Sequence, residues 1–155
     1  MAAARPRECL PMRRRAYTQK VRIGDTNRGI KPQVVFLACG LYEDGTLGEI
    51  FIDSAKQGAA LRVWMAQTAM LFSIALQHGT SLGTLVNTFV GTTSEPSGKV
   101  VGHPRITTCT GVMDYVVRAL AIDFLGREDL ADRSKEDTEG SCQCAEDAEE
   151  EFVEA

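Results

Sequence analysis

Residues 41–53 read LYEDGTLGEIFID, a tight turn followed by a strand. Asp44-Gly45 is a strong hairpin signal, because glycine accepts the positive φ that tight turns require. GEIFID after it and QVVFLACGLY before it are rich in β-branched and aromatic residues, which favour strands. Among the acidic side chains, Glu43 and Asp44 belong at the solvated turn. Asp53 ends the second strand, where it can cap the next element. Only Glu49 falls on a strand face. Paired acid/base catalysis needs carboxylates in a cleft that excludes water, so the cluster reads as a hairpin and not as a catalytic set.

Upstream, KVRI (20–23) reads as a short strand and GDTNRGIKP (24–32) as a loop dense in turn formers. Downstream the period changes to helical. In GAALRVWMAQTAMLFSIALQHG (58–79), apolar residues recur at 61, 64, 65, 69, 72, 75 and 76 and spill round the side, which predicts a helix buried on most of its surface. Gly79 stops it, with His78 in its last turn. A second helix comes next, capped by Thr80 or Ser81, with Leu82, Leu85, Val86 and Phe89 on one face. TTSEPSGKVVGHP (92–104) is expected to be a loop. A third helix over 106–126 places Ile106, Cys109, Met113, Val116, Val117, Leu120 and Phe124 on one stripe. The expected fold is α+β, a small antiparallel sheet around the Asp44-Gly45 hairpin packed by about three helices on one face.

The chain has 155 residues, 44% of them hydrophobic, enough for one domain with a real core. That is too short for a catalytic barrel plus a second domain. The longest apolar run, 59–76, is interrupted by Arg62, Gln67, Thr68 and Ser73, so it is not read as a membrane span. The N-terminus lacks the apolar block of a secretory signal, and the expected location is cytoplasmic. Charge is segregated. Residues 1–22 carry seven Arg/Lys and one Glu, whereas 127–155 carry twelve Asp/Glu and three Arg/Lys. The predicted organisation is a basic flexible arm over 1–19, an α+β domain over 20–126 and an acidic, disordered tail over 127–155.

No phosphate loop, dinucleotide fingerprint or nucleophile elbow is present. His78 reads as a helix-end residue, and His103 lies before a proline with no partner nearby in sequence. Five cysteines without an export signal imply reduced thiols. Cys39 and Cys109 read as small core residues. Cys142 and Cys144 stand apart in the acidic segment EGSCQCAEDAEEEF, as candidate redox thiols, half of a soft-metal site, or incidental residues. Arg13, Arg14, Arg15, Lys20 and Arg22 are candidate contacts for phosphates or for an acidic partner surface.

The segments LPMRRRAYTQKVRI, LYEDGTLGEIFIDSAKQGAALRVWM, SIALQHGTSLGTLVNTFV, SEPSGKVVGHPRI and MDYVVRALAIDFL, taken in that order, are similar to the TSCPD domain, the C-terminal region of adenosylcobalamin-dependent (class II) ribonucleotide reductases. The most specific pieces are DGTLGEIFID followed by a helix opening K-x-G, and the S-x-ALQ-x-G helix stop. The resemblance covers roughly residues 10–126. It implies a free-standing accessory or regulatory domain of a ribonucleoside-diphosphate reductase, serving deoxyribonucleotide supply for DNA synthesis. The implied partner is a catalytic chain that carries the adenosylcobalamin, with no cofactor bound by this chain itself. Cys142 and Cys144 stand where the family's terminal redox pair is expected, although with C-x-C spacing. The barrel and its radical cysteine have no counterpart here, so catalysis by this chain alone is not implied. The alternative is a non-enzymatic nucleotide- or nucleic-acid-binding module that uses the basic arm.

Overall fold

A computed structural model describes residues 3–54 and 59–133; the tail residues Cys142 and Cys144 lie outside them. Five antiparallel strands, β1 (Ala16–Asp25), β2 (Ile30–Leu41), β3 (Leu47–Ser54), β4 (Gly98–Val101) and β5 (Thr108–Cys109), form one sheet in the order β3-β2-β1-β4-β5. Three helices, α1 (Ala59–Gln77), α2 (Leu82–Phe89) and α3 (Val112–Leu125), pack against one side of it. The α+β architecture expected from the sequence is the one observed.

The hairpin at 41–53 forms as its residue types dictate. Gly45 sits at φ +85° and donates its N–H to the Tyr42 carbonyl, while Asp44 accepts from the backbone N–H and hydroxyl of Thr46 at 3.0 and 2.6 Å. β2 and β3 then pair from Leu41↔Leu47 to Val35↔Ser54. A second hairpin joins β1 to β2 through a single 3₁₀ turn, Thr26–Arg28, whose start is capped by the Asp25 carboxylate on the Asn27 N–H at 3.1 Å.

Side-chain alternation sorts the sheet into two faces. Val21, Ile23, Val35, Leu37, Cys39, Ile50 and Ile52 point inward and meet Met65, Ala69 and Phe72 of α1, Val86 of α2 and Tyr115, Val116 and Leu120 of α3. Burial of each large apolar side chain contributes about 1.5–3 kcal/mol. Ser73 is the polar member of the α1 interface. Its hydroxyl accepts from the Ile50 N–H at 2.9 Å, which clips the helix to the edge strand.

The structure differs from the sequence reading at several elements, and the expected loop 24–32 gives Gly24 and Asp25 to β1 and Ile30, Lys31 and Pro32 to β2. β1 begins at Ala16 and is longer than KVRI. Residues 98–101, expected to be loop, form β4 and pair with 22–24 of β1. The third helix starts at Val112, not 106, because Thr108 and Cys109 pair with Lys99 and Gly98 as β5. The β-branched run ITTCT favours strand, and Gly111 lies where a Cβ would meet Ser94.

Candidate functional site

The basic arm runs across the end of the domain. The Glu8 N–H donates to the Gln77 carbonyl at 2.9 Å, Arg7 Nε to Gln77 Oε1 at 2.7 Å, and the Tyr42 hydroxyl to the Glu8 carbonyl at 2.6 Å. His78, at the helix end as its position suggested, donates from Nδ1 to the Arg5 carbonyl at 2.8 Å. Of the candidate phosphate contacts, Arg14 pairs with Glu49 and Arg15 bonds the Glu43 carbonyl at 3.4 Å. Arg13 lines a shallow depression with Pro11 and Tyr42. The carboxylates of the 41–53 stretch are thus engaged separately. Glu49 has Arg14, Asp53 has Arg62 at 2.8 Å, and Asp44 is held below its ordinary carboxyl value by its Thr46 hydrogen bonds. They do not converge on one point, as the hairpin reading expected.

Lys20 and Arg22 are placed elsewhere, on the face of the sheet that none of the described helices covers. Reading across the strands, one row is Thr18–Ala38–Phe51, the next is Lys20–Phe36–Asp53, and the third is Val101–Arg22–Val34. Lys20 Nζ lies 5.9 Å from the centre of the Phe36 ring, and Phe51 is 57% exposed. The sequence carried a signal for this face. In VVFLAC, apolar residues occupy both parities of the strand, so one set had to point away from the core.

On the opposite side of the molecule, α1 turns a second apolar face outward. Trp64 is 67% and Leu71 65% exposed, with Val63 and Met70 beside them. The i, i+7 spacing of Trp64/Leu71 and Val63/Met70 makes this one stripe, and Arg62 is the only charged residue in the helix. The sequence reading that α1 is buried on most of its surface is therefore corrected. Met65, Ala69 and Phe72 are buried, but among the described residues nothing covers the other side. An all-round apolar helix signals that a partner is required without saying whether that partner lies in the same fold.

The thiols within the domain are unsuited to nucleophilic work. Burial pushes both Cys39 and Cys109 up to about 11, so each is a protonated core residue at neutral pH, as its apolar setting suggested. His103 is likewise structural. It is buried against Tyr115 in an edge-on ring contact, and its Nδ1 accepts the N–H groups of Arg105 and Ile106, both at 3.1 Å. Burial depresses its affinity for a proton, with Arg105 and Arg118 adding to the effect against the pull of Asp123. The unfolded chain therefore gains a proton below about pH 6.5 that the native fold resists. Stability is expected to hold above that pH and to fall as pH drops toward the lowered native value, by up to about 1.4 kcal/mol per pH unit. Urea unfolding of the native chain and of His103→Gln at pH 7.5 and 5.5 checks this. The variant should be weaker at the higher pH but lose this part of the slope.

A cavity of about 540 Å³ lies between the arm, the hairpin turn and the ends of α1 and α3, with Arg5, Tyr42, Gln77 and Asp123 among its walls. Its volume is that of a site for a drug-sized molecule, far below what a corrin cofactor occupies, and none of its walls offers an imidazole. This cavity does not fit a cobalamin. Among the described residues there is no group of three or more His, Cys, Asp or Glu able to hold a metal ion, and no helix long and apolar enough to cross a membrane.

The fold is that of a small α+β domain. The TSCPD domain family matches residues 4–124, and the chain belongs to that family. It is 46% identical over 128 residues to a vitamin B12-dependent ribonucleotide reductase of Agrobacterium fabrum, a match covering 83% of this chain and 10% of that protein. The enzyme of the same name from Bradyrhizobium diazoefficiens is 46% identical over 127 residues, covering 82% and 10%. That of Rhodopirellula baltica is 37% identical over 125 residues, covering 81% and 11%. The chain thus spans about a tenth of the length of the curated relatives it matches. No solved structure matches it.

Proposed function

We propose that this protein is an accessory domain of a class II ribonucleotide reductase, docking through the outer face of α1 on a catalytic chain that reduces ribonucleoside diphosphates for DNA synthesis. Adenosylcobalamin, in this reading, is held by that catalytic chain. The observation that carries the proposal is the uncovered Val63/Trp64/Met70/Leu71 stripe. A contiguous exposed apolar patch on a helix of one charge marks an interaction surface. Roughly nine tenths of each similar reductase lies outside the matched segment, and this is the protein mass against which such a helix would be covered.

The test is deoxyribonucleotide formation by a vitamin B12-dependent catalytic chain lacking its own copy of this domain, titrated with the protein. Turnover should change by at least several-fold and saturate near one equivalent. Unchanged turnover together with no detectable complex would sink the proposal.

A further inference from the structure

We infer that the uncovered face of the sheet is a binding site for single-stranded nucleic acid, with Phe51 and Phe36 as stacking platforms and Lys20, Arg22 and Lys99 as phosphate contacts. This goes beyond the reductase reading and rests on a different surface from α1.

Charge is the first observation. The chain as a whole has a net charge of −4. On this face, however, both acidic side chains are already neutralised, Glu49 by Arg14 and Asp53 by Arg62. Lys20, Arg22 and Lys99 have no carboxylate partner among the described residues, so the free charge of the face is entirely positive. Lys20 and Arg22 alternate along β1, and Lys99 lies on β4 next to Gly24. Together they form a track that suits a chain of phosphates.

The aromatic rings are the second. Phe36 pairs with Asp53 and Phe51 with Ala38, so the two phenylalanines are diagonal neighbours on adjacent strands, roughly 7–8 Å apart. The residues between and around them, Ala38 and Thr18, are small, and they leave Phe51 exposed and Phe36 half-buried. Exposed aromatic rings on a sheet cost hydrophobic free energy unless something covers them, and bases can stack on such rings whatever their identity. Among the described residues the Lys20 ammonium has only the Phe36 ring beside it, so it can move to a phosphate when a base takes its place.

The shape selects the ligand. A free nucleotide is ordinarily held in a concave pocket, whereas this face is an open sheet of several rows that an extended strand can cross. The arm arginines, the sequence-level candidates for the same role, are less suited. Arg14 and Arg15 are bound to Glu49 and to a backbone carbonyl.

The experiment is fluorescence anisotropy of a labelled oligo(dT) of about 20 nucleotides with the 155-residue chain, long enough for one sheet-sized site. Three phosphate contacts on a single strand give a log–log salt slope of about −2, so moving from about 50 to about 200 mM salt should weaken binding roughly 20-fold. Phe51→Ala should weaken binding about 5- to 100-fold with the slope unchanged, and Phe51→Tyr should preserve it. Lys20→Gln combined with Lys99→Gln should flatten the slope to about −0.7. Circular dichroism checks that each variant is folded, and the exposure of all three side chains favours that. Wild-type binding by Phe51→Ala and by the Lys20→Gln/Lys99→Gln double variant would overturn the inference, as would no binding at low salt or loss only in Arg13→Gln/Arg15→Gln. Equal competition by a duplex, or by deoxythymidine triphosphate per nucleotide, would also overturn it. Trp64→Asp/Leu71→Asp should leave oligonucleotide binding intact, so this site and the reductase interface succeed or fail separately.

Discussion

Trp64→Asp combined with Leu71→Asp is expected to weaken binding to a class II reductase catalytic chain by at least about 100-fold, while the domain stays folded. Trp is the residue type most often found at interface hot spots, where truncation costs about 2–4 kcal/mol. The double change also places two carboxylates in a contact that would otherwise exclude water, which adds a desolvation cost. Against this, the effect on the isolated domain should be small. Both side chains are about two-thirds exposed, and Asp is only about 0.5 kcal/mol worse than Leu or Trp in a helix. Isothermal titration calorimetry reports the first quantity and thermal unfolding the second. Binding within about threefold of wild type would exclude the α1 face as the docking surface. If the wild-type protein proves dimeric and the variant monomeric with reductase binding intact, the stripe joins two copies of this chain instead.

The contrast between the two exposed faces shows what can be read from residue types alone. The hairpin at 41–53 was legible because Asp44-Gly45 and the strand-favouring runs beside it act locally. The cap of the second helix was legible to within Thr80 or Ser81 for the same reason, and it is the Ser81 hydroxyl that accepts the Thr84 N–H at 3.1 Å. β4 and β5 were not legible. Gly98–Val101 and Thr108–Cys109 are four and two residues long; the first is a strand only because β1 offers a free edge and the second only because β4 then offers its own, which sequence position does not reveal. The α1 stripe failed for another reason. Periodicity reports that a residue wants to leave water, but not which molecule will cover it. Lys20 and Arg22 were picked out by charge, whereas Phe36 and Phe51 joined them only when the β1–β2 and β2–β3 registers put all four on one face.

Arg118→Met is expected to cost the domain about 3–5 kcal/mol, although no substrate or partner contact is assigned to this residue. Its side chain is only 11% exposed, and its guanidinium closes the last part of the fold. Nε donates to the Leu130 carbonyl at 2.9 Å, one terminal nitrogen to the Thr108 carbonyl at 2.6 Å and the other to Asp132 at 2.8 Å, with Asp114 at 3.5 Å. Asp132 in turn accepts the N–H groups of Thr107 and Thr108, while Asp114 holds those of Gly91 and Thr110. Burial works to raise the Asp132 carboxyl, but these backbone hydrogen bonds and Arg118 outweigh it and hold it below its ordinary value. Without the cation, the buried Asp114 and the partly buried Asp132 would both lose their counter-charge, and two carbonyls would lose a donor. Breaking a buried pair by removing one partner is far costlier than losing a surface pair, which is worth at most about 1 kcal/mol. For a domain of this size the loss should lower Tm by about 10–20 °C, read by calorimetry near pH 7. Adding Asp132→Asn to Arg118→Met should recover part of it, since one unneutralised charge is then gone. A fall of less than about 1 kcal/mol would show the network to be solvent-screened and the 127–133 segment to be held by packing alone.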